Sequence, residues 1–133
     1  MSKRWMLAGA VVLAMTMVAV GGRVHAGDAP KEMKGAGDPT KVCPNVYKSL
    51  MDNERVRVCD VHFKVGEKAA MHSHPAHVVY VMNDCKLSIL TPDGKTNVVE
   101  LKAGQTLMMP AGDHEVTNVG KTEAHNLVVE LKK

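Results

Sequence analysis

The chain has 133 residues, 17 Lys+Arg against 14 Asp+Glu, and a formal net charge of +3, enough for one domain around one core. That excess is carried by Lys3, Arg4 and Arg23 near the start; without them 14 basic side chains face 14 acidic ones. With no basic cluster, one Phe, two Tyr and the lone Trp at position 5, the chain lacks both the field and the stacking platform of a nucleic-acid binder.

Residues 1–26 read as a secretory signal peptide. Lys3 and Arg4 give a positive start, residues 6–20 are uncharged and mostly apolar, and Val24-His25-Ala26 offers small residues for cleavage after Ala26. The apolar run of about 15 residues falls short of the roughly 20 that span a bilayer. No cysteine directly follows the cleavage site, so neither a lipoprotein nor any membrane attachment after cleavage is expected, and in a bacterium the mature chain is periplasmic or secreted. Residues 27–53 read as a flexible leader, rich in Gly, Pro, Lys and Asp up to Lys41, followed by a short segment, 42–53, that is either a helical turn or an edge strand.

From residue 54 to 133 the pattern is β. Residues 57–65 alternate, with Cys59, Val61, Phe63 and Val65 on the apolar face and His62 on the outer one. Strands follow at 77–82, 86–91, 96–101, 105–109, 114–118 and 125–132. Asn83-Asp84, Pro92-Asp93-Gly94-Lys95, Ala103-Gly104, Pro110-Ala111-Gly112-Asp113 and Gly120-Lys121-Thr122 separate them. Gly104 and Gly112 read as turn residues and Pro110 as a strand terminator. In the last strand His125 shares parity with Leu127, Val129 and Leu131, which points it inward. Short strands at this spacing with no convincing helix give an all-β chain, a small antiparallel barrel or double-sheet roll. Cys43, Cys59 and Cys85 are an odd number; buried thiols and a Cys59–Cys85 or Cys43–Cys59 bridge both fit an oxidising compartment.

His72 and His74, two apart, aim at one point if they lie on a strand, and neutral imidazole is a ligand for Fe, Zn, Cu or Ni. His77 and His114 are further candidates. Met71, Met82, Met108 and Met109 read as core filling, with thioether ligation of Cu(I) as the alternative.

Gly66-x5-His72-x-His74 followed by Val78-Val79-Tyr80-Val81-Met82, and Gly104-x5-Pro110-x-Gly112-x-His114-x3-Asn118, resemble the two motifs of the cupin superfamily over residues 54–132. The resemblance implies a small single-domain jelly-roll β-barrel whose mouth holds one metal ion through two His and a Glu of the first motif and one His of the second. His72 and His74 match the paired histidines and His114 the second-motif histidine. The Glu is absent, and its place falls on His77. Either four imidazoles form the shell, or His77 sits on the rim and three histidines leave open positions. An imidazole shell favours Fe, Zn, Cu or Ni over harder cations and should lose its metal as pH falls through about 6 to 5. The resemblance also implies a homodimer.

Fold does not assign activity. Three functions fit: an exported metalloenzyme, oxygenase- or isomerase-like, on an unknown small molecule; a non-catalytic periplasmic protein binding Cu, Zn or a small ligand; and an interaction module with a structural ion. No carboxylate reads as a general acid or base in the barrel mouth, since Glu115 alternates outward and Asp113 sits in a loop.

Overall fold

The structure, a computed structural model, describes residues 35–133; the signal-peptide reading of residues 1–26 and the start of the leader lie outside the described residues. Among them no helix is long and apolar enough to cross a membrane. One four-residue helix, α1 (Pro39–Val42), precedes nine strands: β1 (Tyr47–Asp52), β2 (Val56–Phe63), β3 (Lys68–His74), β4 (His77–Val81), β5 (Cys85–Leu90), β6 (Thr96–Leu101), β7 (Thr106–Met109), β8 (Gly112–Asn118) and β9 (Ala124–Leu131). They form a five-stranded sheet, β1-β2-β9-β4-β7, and a four-stranded sheet, β3-β8-β5-β6, whose recorded strand pairs are all antiparallel. This is the two-layer roll that the strand spacing predicts.

Alternation along each strand sets which side chains the two sheets enclose. Cys59, Val61 and Phe63 of β2, Val81 of β4, Leu87 of β5, Val116 of β8 and Val128 of β9 form the core, with Ala69, Leu101 and Ala124. His62 is exposed, as its parity predicts. Cys43, Cys59 and Cys85 are all buried free thiols, and burial raises the pKa of each, that of Cys59 to about 11. In the β5–β6 hairpin, Gly94 takes φ +82°, donates its N–H to Thr91 O at 2.9 Å, and so occupies the left-handed position its Asp-Gly context predicts.

Three elements depart from the sequence reading. From Gly35 onward the stretch read as leader and ambiguous segment engages the barrel. Asp38 caps α1, accepting from Thr40 N at 2.9 Å, and Ser73 N donates to Gly37 O at 2.8 Å. Within 42–53, β1 forms an edge strand along β2. Second, β9 has the opposite parity: Ala124, Asn126, Val128 and Glu130 face inward and are buried, whereas His125, Leu127 and Val129 face outward and are half-buried. His125 hydrogen-bonds Asp60 on the outer face. The apolar residues of β9 occur on both faces, so alternation misled; inward, Glu130 meets His74 and Arg57. Third, Gly112 begins β8 instead of turning the chain, where it pairs with His74 of β3.

Outward, Met51, Val58, Val129, Val78 and Met108 are cross-strand partners in one row across all five strands of the larger sheet. Met51 and Met108 are exposed, with Met82 and Tyr80, so Met82 and Met108 are not core filling.

Candidate metal centre

The histidines reach one place because of an irregularity in β3. Ala69 pairs with Val116 and His72 with His114, so Ala70 and Met71 together oppose the single residue Glu115. This β-bulge inserts one extra residue and resets the alternation. Ala69, His72 and His74 all point inward as a result. His72 then lies directly across from His114, with ring centroids 4.7 Å apart. His74 is 4.8 Å from His72 and 5.1 Å from His114. His77 opens β4 on the facing sheet, buried with Val81 on one parity, and its ring lies 4.5 Å from that of His74. All four histidines singled out in the sequence therefore meet inside the roll. The ligand atoms of His72, His74 and His114 lie within 4.8 Å of one another. His77 is inward, not on the rim, but outside that closest trio.

The tautomers are set by hydrogen bonds. An Nδ1–H donates from His72 to Ala70 O at 2.7 Å and from His77 to Pro75 O at 2.8 Å, the same two-residue back-bond in both. His74 Nδ1 donates to the Glu130 carboxylate at 2.6 Å. With Nδ1 occupied, each ring presents Nε2 as a bare lone pair, the arrangement that metal-binding imidazoles require. The Nε2 atoms of His72 and His114 are buried without any hydrogen-bond partner. Stranding two such atoms side by side costs free energy unless something accepts their lone pairs. A transition-metal ion fits this donor set: three imidazole nitrogens would hold it and leave its charge unneutralised, the chemistry of a Lewis acid.

Electrostatics agree. Burial, with the neighbouring imidazoles, lowers His72 to about 4 and His114 to about 3, and lowers His77 as well. The rings are neutral at ordinary pH and ready to ligate. Tyr47, at the start of β1, packs its ring 5.0 Å from His72 and 5.4 Å from His74. Burial drives its phenol pKa upward, so it stays neutral.

Sequence reasoning missed Glu130. It is 2% exposed, pairs with His77 across the β4–β9 ladder and with Arg57 across β2–β9. Arg57 Nε donates to Glu130 Oε2 at 2.6 Å, and its Nη1 to Asp38 Oδ2 at 2.7 Å. Burial opposes ionisation of Glu130, but the hydrogen bonds from His74 and Arg57 outweigh it and hold its carboxyl below the usual range. Asp38 is held at about 2, the Arg57 and Thr40 bonds outweighing burial. The signal that would have found Glu130 is a lone acid set among Val128, Val129 and Leu131.

Beside the imidazoles lies a cavity of about 250 Å³, walled by apolar side chains from both sheets, among them Val79, Leu87, Ile89 and Leu107, with His74, His77 and His114 in its lining. Met109, the cross-strand partner of His77, also lines it, and Met71, Met82 and Met108 do not.

No family model matches the sequence, and no curated protein does either. Among solved structures, the chain is similar to a cupin domain from Bordetella pertussis Tohama I. The two are 31% identical with a TM-score of 0.62, over 66% of this chain and 93% of that one. A cupin superfamily protein from Desulfitobacterium hafniense DCB-2 follows at 18% identity and TM-score 0.52, over 66% and 77% of the two chains. A cupin family protein with a double-stranded β-helix fold from Methanocaldococcus jannaschii stands at 17% and 0.53, over 65% and 79%. The last two bear on the fold alone.

Proposed function

The chain belongs to the cupin superfamily, and from that premise we propose that it is an exported single-domain cupin that holds one divalent transition-metal ion, Fe, Zn, Cu or Ni, on His72, His74 and His114, with His77 as a fourth imidazole beside them. The observation that carries the reading is the pair of buried, unpartnered Nε2 atoms on His72 and His114. The export reading rests on the first 26 residues of the sequence.

The bound ion would supply a Lewis acid next to an apolar cavity. The chain's own residues do the rest. Ala70 O, Pro75 O and Glu130 fix three imidazole tautomers. Tyr47 packs against two of the rings, and the apolar walls of the cavity exclude water and accept a small organic molecule. That adjacency favours a centre acting on a small molecule, oxygenase- or isomerase-like, over a closed structural ion. Sequestration of Cu or Zn is the second reading, supported by Glu130 being committed to His74 and Arg57 and so not free to move a substrate proton. Pairing of two copies through the outer apolar row of the larger sheet belongs to the same proposal. Met108→Asp should then shift a dimer to monomer in sedimentation.

Titration of metal-stripped protein with Co(II) tests the centre. One equivalent should bind and give visible d–d bands, His72→Ala should abolish them, and added azide should perturb them where a position is open. Absence of binding by the wild-type chain refutes the metal site, and bands unmoved by azide refute the small-molecule centre in favour of a closed ion.

A further inference from the structure

Among the described residues, three buried side-chain polar atoms have no hydrogen-bond partner: His72 Nε2, His114 Nε2 and Asn126 Oδ1. A metal ion accounts for the first two and leaves the third unexplained. Asn126 is 3% exposed. It sits on the inward parity of β9, with Val61 and Val81 as its cross-strand partners. Its side chain lines the apolar cavity.

Position along the strand separates it from the imidazoles. Glu130, the cross-strand partner of His77, lies four residues further on, about 13 Å at the rise of a strand. Val128 stands between them on the same face. The cavity thus carries imidazoles toward one end, a carboxamide toward the other and hydrocarbon between. A carboxamide oxygen buried without a partner is costly, and its place in an apolar wall is explained if a ligand satisfies it. The volume, about 250 Å³, exceeds the roughly 150 Å³ of an apolar cavity that takes up benzene. It therefore admits a ring with one or two small substituents.

We infer that Asn126 is the polar anchor of a ligand subsite for a small, mainly apolar molecule of substituted-ring size carrying a hydroxyl group. A hydroxyl both donates and accepts, so it satisfies either atom of the carboxamide. The inference rests on the cavity and on Asn126, and stands apart from whether the histidines hold a metal.

Phenol and toluene are the probes, since they differ by one hydroxyl-for-methyl exchange. Desolvation alone favours toluene in a hydrocarbon-walled cavity, so a phenol preference requires a polar partner. Calorimetric titration of the full folded chain, metal-loaded and chelator-treated, should show phenol binding about tenfold tighter than toluene in both states. Asn126→Leu, which keeps the side-chain size, should reverse the order. Asn126 side-chain amide resonances of the wild-type chain should shift with phenol and not with toluene, which decides the matter should the variant fail to fold. Equal affinities, binding of neither probe, or a phenol preference that survives Asn126→Leu overturns the inference. A preference that vanishes on chelation assigns the hydroxyl to the metal, and likewise overturns it.

Discussion

The sequence count puts His77 at the place of the motif's glutamate, and the strand paired with it brings Glu130 directly across. A carboxylate is thus present, held on the Nδ1–H of His74. With Asp38 and Arg57 the network holds two carboxylates against one guanidinium, a net negative charge behind the imidazoles that favours a cation on their other side. Glu130→Gln should therefore weaken Zn(II) affinity about 10- to 100-fold in calorimetric titration, while His72→Ala, which removes a ligand, should cost more. Unchanged Zn(II) affinity in Glu130→Gln would show that the carboxylate serves packing alone. Legibility at this scale was uneven. The four histidines were visible because two lie two apart and the flanking glycines and proline mark the motifs. Glu130, Tyr47 and Asn126 were not, because each sits outside the motifs and is brought in only by strand pairing.

Among the elements, the seven strands read from the sequence stand within a residue or two of their places, since alternation and turn chemistry are local signals. What escaped was non-local. The bulge in β3 depends on the register against β8, and nothing in Ala69-Ala70-Met71 announces it. The parity of β9 depends on Glu130, whose buried partners, His74 and Arg57, come from other strands. Residues 35–41 look like leader because they have little to bury, yet Asp38 joins three jobs: it caps α1, bonds the Thr40 hydroxyl and accepts from Arg57. Asp38→Ala should destabilise the fold by about 1–2 kcal/mol in urea unfolding through loss of the cap alone. Asp38→Asn, which keeps the cap acceptor, should recover part of that. An identical urea midpoint for wild type and Asp38→Ala would mean that α1 is not held to the barrel by this residue.

Across the whole molecule, the depressed imidazoles link stability to pH. Below the unfolded histidine value of about 6.5, the unfolded chain takes up protons that the native chain refuses, because His72 and His114 protonate only near 4 and 3 when folded. The unfolded state then binds more protons, so stability rises with pH through this window and falls as pH drops from about 6.5 toward 4. Asp38 at about 2 and the lowered Glu130 act in the same direction, but only once the unfolded carboxylates begin to protonate near 4. Acid destabilisation of the metal-free chain should therefore begin some two pH units above the carboxylate range. In chelator, Tm should be level from pH 8 to 7 and decline steadily between 6.5 and 4.5, and the double variant His72→Leu, His114→Leu should flatten that decline. The metal-loaded chain should resist further, because a bound cation competes with the proton for the same lone pairs. With His72 and His114 lowered by burial, its release should come below the window of 6 to 5 that unperturbed imidazoles suggest. A metal-free Tm unchanged between pH 7 and 5 would mean that these rings are solvated, and the buried convergence from which the metal reading is drawn would fail with it.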